Sequence, residues 1–222
     1  MIIDNNETIN LNINKDLNID ILKNLKPSIN IITTKDTSFN LNINIEENSS
    51  LKLFIALFGK NNFNDININL NGKNSNINLT LINLSNNGIS NINTTINHLN
   101  DFTNSIVTND SLLTNKSKVL LNVINNINDG TINSNANQSI EGLLLDKDSK
   151  LEMIPTLFID NNKVFANHSA KISRINDNDL YYIMTKGISK EDASKMYANN
   201  FLLKHVSFEL KEKIKKLIER SI

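Results

Sequence analysis

Leu41-Asn42-Ile43-Asn44-Ile45, Ile66-Asn67-Ile68-Asn69-Leu70 and Ile77-Asn78-Leu79-Thr80-Leu81 alternate apolar and polar residues with a period of two. That period places all the apolar side chains of a segment on one face, as a half-buried β-strand requires, and a disordered chain has no need of it. Segments of the same kind follow outward at 51–57, 89–96, 105–107, 119–124 and 143–145, separated by the turn formers Asn71-Gly72, Asn86-Asn87-Gly88 and Asp129-Gly130. The separations are irregular, and Asn-Gly turns are too few for a hairpin after every strand. The pattern therefore favours a stacked β-solenoid over its competitor, a β-sandwich. In a solenoid each coil buries its apolar face against the coils above and below, and inward or turn asparagines can form hydrogen-bonded ladders between rungs.

Composition narrows the function. Of 222 residues 45 are Asn, 38 of them before residue 141, and only two of the cations are Arg. Such heavy use of Asn, Ile and Lys reads first as the mutational bias of an AT-rich genome, with much of the asparagine as filler. The 23 Lys plus Arg balance 23 Asp plus Glu, which argues against a dedicated nucleic-acid binder. Cysteine is absent, so a disulfide scaffold, a Cys nucleophile and a self-sufficient thiolate metal site are excluded. There is no Walker-type phosphate loop and no Gly-x-Gly-x-x-Gly, so no bound nucleotide is expected, and no nucleophile-elbow pattern marks a catalytic Ser. The opening Met1-Ile2-Ile3-Asp4-Asn5-Asn6-Glu7 lacks a cationic, apolar leader, and no run is long enough to cross a bilayer. A soluble, cytoplasmic protein without membrane attachment is the expectation, with the plastid stroma as its eukaryotic counterpart.

The chain changes character near residue 171. From 171 to 222 there are 11 Lys plus Arg, 7 Asp plus Glu and 4 Asn. Leu180, Ile183 and Met184 lie at helical spacing ahead of Gly187, a natural helix terminator. Ser189-Lys190-Glu191-Asp192 resembles a capping box before Ala193, Met196, Tyr197 and Phe201, and Leu210, Ile214, Leu217 and Ile218 form a third stripe. We therefore expect a short N-terminal segment (1–30) with a possible helix at Asp16–Leu25, a β-solenoid core (31–170) and a C-terminal helical domain (171–222) that caps the solenoid.

Four stretches carry a resemblance. Gln-Ser-Ile-Glu-Gly-Leu-Leu-Leu (138–145), Leu-Glu-Met-Ile-Pro-Thr-Leu-Phe-Ile (151–159), Val-Phe-Ala-Asn-His-Ser-Ala (164–170) and Leu-Tyr-Tyr-Ile-Met-Thr-Lys-Gly-Ile-Ser (180–189) resemble, in order and spacing, the C-terminal part of the SufB/SufD family of iron–sulfur cluster assembly scaffolds. The resemblance covers about residues 138–205. It implies a right-handed parallel β-helix followed by a short helical domain, a protein that is not an enzyme, and a place in a SufBCD-type complex. SufB-type chains carry a cysteine where Ile140 stands, whereas the His of the x-His-x-Ala element is retained as His168. The chain thus looks SufD-like. The resemblance implies pairing with a SufB-like scaffold through the last coils, around Ile140, Pro155 and His168, with His168 offered to an iron–sulfur cluster held transiently with that partner. It also implies docking of the SufC-type ABC ATPase near Tyr181, Tyr182, Lys186 and Gly187.

Each of these residues has a plainer role. A lone His is more often a packed or hydrogen-bonded residue than a ligand, the tyrosines serve equally as helix aromatics, and Gly187 is sufficient as a cap. His98 and His205 sit in no motif and read as surface or capping residues. The resemblance implies considerably longer chains that open with a helical domain, so a pared-down member is the expectation. A second reading within the family is a SufB-like homodimer that uses His168 with Glu141 and Glu152 as carboxylate ligands. A reading from another class is an extracellular, glycan-binding solenoid, which an export signal would favour.

Overall fold

The computed structural model describes the backbone of residues 1–222 and every side chain except those of Asp177 and Asp179. Its described residues form fourteen strands and three helices, numbered along the chain. One sheet contains β1 (Ile2–Ile3), β3 (Leu17–Ile21), β5 (Thr37–Ile45), β7 (Asn62–Leu70), β9 (Ile89–His98), β11 (Lys118–Ile127) and β13 (Lys150–Ile159). The other contains β2 (Thr8–Leu11), β4 (Ser28–Thr33), β6 (Ser50–Leu57), β8 (Asn76–Asn86), β10 (Asn104–Thr114), β12 (Asn135–Leu144) and β14 (Phe165–Arg174). The chain alternates between the sheets, and strands two apart in sequence pair in parallel. Among the described residues no antiparallel pair occurs, so the fold is a two-sheet β-solenoid and the sandwich is excluded.

The period-two stretches are the centres of these strands. Leu41, Ile43, Ile45, Ile66, Ile68 and Leu70 are completely enclosed between the sheets, with Ile55, Leu57, Leu79 and Leu81 facing them from the other side. Coils lengthen along the axis, from 24 residues where Leu17 opposes Leu41 to 32 where Lys118 opposes Lys150. That growth explains the irregular spacing: the solenoid has a register but no fixed repeat.

Asparagine has a structural job here. Asn44 donates to Asp20 at 2.7 Å, Asn69 to Asn44 at 2.9 Å, Asn97 to Asn69 at 2.8 Å and Asn126 to Asn97 at 2.8 Å. This ladder stands on the outer face of the odd-numbered sheet, while inside, where Ile and Leu hold most positions, the expected inward bonds are confined to a short buried set in which Asn62 accepts from Thr37 and Asn64 donates to Thr37, both at 2.9 Å. At one corner Asn24, Asn48 and Asn74 take positive φ of 63°, 57° and 60°, a conformation Asn tolerates, and are linked side chain to side chain at 3.3 and 3.0 Å.

Two sequence expectations need correction. Asp16–Leu25 holds no helix: Leu17-Asn18-Ile19-Asp20-Ile21 also alternates, and it forms β3 with Ile19 and Ile21 enclosed. Residues 1–30 accordingly enter both sheets as β1 to β3 and the start of β4. The helices α1 (Asp177–Met184), α2 (Lys190–Leu203) and α3 (Phe208–Ser221) do not cap the end of the solenoid. Instead α2 and α3 lie along the outer face of the even-numbered sheet, against β10 and β8 respectively, and α1 packs on α2. The run Leu53-Phe54-Ile55-Ala56-Leu57-Phe58 shows why. Leu53, Ile55 and Leu57 point into the solenoid, while Phe54, Ala56 and Phe58 point out and pack with Ala198, Leu202, Ile214 and Ile218.

The helix ends follow their sequence signals. Ser189 caps α2, accepting from the Asp192 amide at 3.0 Å, and Gly187 adopts φ +84° after α1. The buried face of α2 is Ala193, Ala198 and Leu202, and Met196 is left exposed.

Candidate functional site

The two ends of the solenoid differ. At the N-terminal end the free edges are β1, two residues, and β2, four residues. At the C-terminal end they are β13 and β14, ten residues each, paired on one side only, with β11 and β12 respectively. Short edges resist pairing with another chain, and long ones invite it. The C-terminal end is therefore where this fold can accept further strands.

Its side chains agree. The ladder of Asp20, Asn44, Asn69, Asn97 and Asn126 meets Phe158 at the next rung, and a parallel ladder of Asp65, Asn93 and Asn122 meets Ile154. Polar rungs give way to apolar ones where the sheet ends. Phe158 is 60 % exposed and Phe165, at the start of β14, 74 %. With Ile154, Ile159 and Ile172 they make an exposed apolar rim, the mark of an interaction surface. On the adjoining α1, Tyr181 and Tyr182 are also exposed, and the Lys186 ammonium sits 5.4 Å from the Tyr182 ring centre.

His168 lies on β14, directly opposite Gln138 of β12. Residues 136, 138, 140 and 142 of β12 face the interior, so His168 shares their face and stands exposed at the open mouth of the solenoid. Ile140 is completely enclosed beneath Ala170 and presents no surface. Pro155 is half-buried on β13, an edge strand, where a missing N–H is tolerated. Glu141 and Glu152 point to the outer faces of the two sheets, away from the face of His168. Glu141 is committed elsewhere: the Lys204 ammonium lies 2.9 Å from it and 3.1 Å from the buried Asp110. Among the described residues no cluster of three or more metal-capable side chains exists. At this mouth the chain offers one imidazole and, having no cysteine, no thiolate.

The other histidines separate. His205 is exposed, and it lines a cleft of about 550 Å³ with Lys52 and Phe208 where α3 begins. His98, expected as a surface or capping residue, is instead completely buried. Its Nδ1 lies 2.8 Å from Thr103 Oγ1 and its Nε2 2.9 Å from Ser105 Oγ, and burial pushes its pKa down to about 4. The sequence signal for this was present, since His98 closes the alternation of Ile92, Thr94 and Ile96 on the inward face. The apolar rim is legible too, as the point where the Asn-containing alternation stops.

Among the described residues no helix is long and apolar enough to cross a membrane. The family model of the SUF system FeS cluster assembly SufBD core domain matches residues 24–201, which takes in nearly the whole solenoid and reaches into α2. The chain is 29% identical over 136 residues to the iron–sulfur cluster assembly protein SufD of Bacillus subtilis (strain 168), covering 60% of this chain and 31% of that one. It is 29% identical over 100 residues to an iron–sulfur cluster assembly SufBD family protein of Staphylococcus aureus (strain USA300), covering 45% and 22%. The matches thus span less than a third of the length of these relatives. A β-solenoid with its helices laid along one sheet, matched over most of its length by the SufBD core, places this chain in the SufBD family of iron–sulfur cluster assembly proteins.

Proposed function

We propose that this protein is the SufD-like, non-catalytic subunit of a SufBCD-type assembly complex. The observation that carries the reading is the open end: two ten-residue edge strands with an apolar rim and His168 at the mouth, in a chain without cysteine. A SufB-like partner adds its own strands to β13 and β14, so main-chain hydrogen bonds supply affinity and the rim supplies specificity. The partner brings the thiolates. His168 then meets a cluster that is cargo of the complex, as a neutral imidazole ligand or a hydrogen-bond donor. A SufC-like ATPase docks near α1, on Tyr181, Tyr182, Lys186 and Gly187, and its ATP-driven dimerisation twists the pair and exposes the site. This chain transmits that work, binds no nucleotide itself, and operates in the cytoplasm or a plastid stroma. The SufB-like homodimer is less well supported, because Glu141 and Glu152 do not share the face of His168.

Anaerobic co-expression with the SufB-like and SufC-like proteins of the same genome, followed by pull-down and visible absorption, tests this for wild type and His168→Ala. The expected result is a stable complex whose cluster absorbance falls in the variant. A complex with unchanged absorbance returns His168 to a structural role. Absence of any complex contradicts the assignment and revives the glycan-binding solenoid.

A further inference from the structure

Gln138 is only 3% exposed and stands beside His168 on the inner face, one strand deeper. Its Nε2 donates across the interior to the Thr156 carbonyl oxygen of β13 at 3.1 Å. This fixes the amide's orientation, since the reverse would set two acceptor oxygens against each other. Its Oε1 is buried and has no hydrogen-bond partner among the described residues. Buried acceptors are seldom left so, and an orphan of this kind marks a place where a donor belongs. Neighbouring strands lie about 4.8 Å apart, so in-register side chains on one face are within reach of each other. His168 is that neighbour, and its side chain makes no hydrogen bond among the described residues.

We infer that Gln138 is a positioning residue for His168: its Oε1 accepts the imidazole Nδ1–H, which fixes the tautomer and turns the Nε2 lone pair out of the mouth of the solenoid. A ligating His characteristically gives its other N–H to a fixed acceptor, which orients the ring and raises its basicity. The Thr156 bond makes the arrangement rigid, because it ties the acceptor to the second edge strand, β13, as well as to β12. Both free edges thereby converge on one imidazole, and a partner that displaces either strand reorients it. The inference deepens the proposed role of His168 and rests on it for its purpose; the bond needs no partner chain, and it forms when the exposed imidazole turns inward from its present position onto the orphaned Gln138 Oε1.

The test needs no partner. In the full-length ¹⁵N-labelled chain, at a pH where its imidazoles are neutral, long-range ¹H–¹⁵N correlation reads each tautomer, and His168 is identified by its loss in His168→Ala. Wild type is expected in the Nδ1–H form. Gln138→Met, which keeps the length and removes the acceptor, is expected to move the ratio roughly fivefold toward Nε2–H, as loss of one ordinary hydrogen bond would. Gln138→Glu, which restores an acceptor, is expected to return it. A wild-type His168 dominated by Nε2–H overturns the inference whether or not the variants fold, and so does an unmoved ratio in a folded Gln138→Met. Neither result depends on whether a SufB-like partner binds, so this inference and the proposed function fail separately.

Discussion

His98 and Asp110 show how much individual buried groups control. His98 is neutral inside the solenoid, held between the hydroxyls of Thr103 and Ser105, with its pKa lowered to about 4. The unfolded chain takes up this proton near pH 6.5 and the folded one does not, so the contribution is fully present above 6.5 and lost as pH falls toward 4. The loss is on the order of 3 kcal/mol. Denaturation measured against pH should show that decline, with the His98 resonances of the native protein titrating near 4, and titration near 6.5 would contradict it. Asp110 behaves oppositely. Burial raises its pKa despite Lys204 at 3.1 Å, so its ionised form is a cost in the folded state that lessens on acidification. Lys204→Met strands both Asp110 and Glu141 under α2. We expect it to destabilise by about 3 kcal/mol at neutral pH, with the deficit shrinking in denaturation curves at lower pH as Asp110 takes up a proton.

At the scale of elements, the molecule is stacked corners and rungs. Gly88 sits at a corner where a Cβ would overlap the Lys60 carbonyl oxygen of the coil before. Gly88→Ala is therefore expected to cost about 3 kcal/mol, read as a lowered midpoint of unfolding. A variant of wild-type stability would mean that the corner can open.

The strands were legible because Ile-Asn-Ile alternation has only one periodic reading, and a stacked solenoid followed from them. The same rule applied to Leu17-Asn18-Ile19-Asp20-Ile21 would have removed the helix expected there. The positions of the three helices were less accessible. Their seat is written in strand residues such as Phe54, Ala56 and Phe58, and a run apolar on both faces does not say what covers its outer side. His168 was found through the resemblance. Gln138 has no signature at all, since only the strand register puts it next to His168.

As a whole, the molecule is a rod with short edge strands at one end and long ones at the other. Polar ladders run along the odd-numbered sheet and stop at Phe158 and Ile154, where ten-residue edges replace the two- and four-residue edges of the other end. The central claim is that this end receives the partner. Hydrogen exchange followed by mass spectrometry, on the chain alone and with the proposed partner, the SufB-like protein of the same genome, tests it most directly, because unpaired edge amides exchange freely until a strand is added to them. We predict slowed exchange concentrated in residues 150–174, covering β13 and β14, with the coils before β9 unchanged. Protection that appeared elsewhere, with β13 and β14 exchanging as they do in the free chain, would contradict the account.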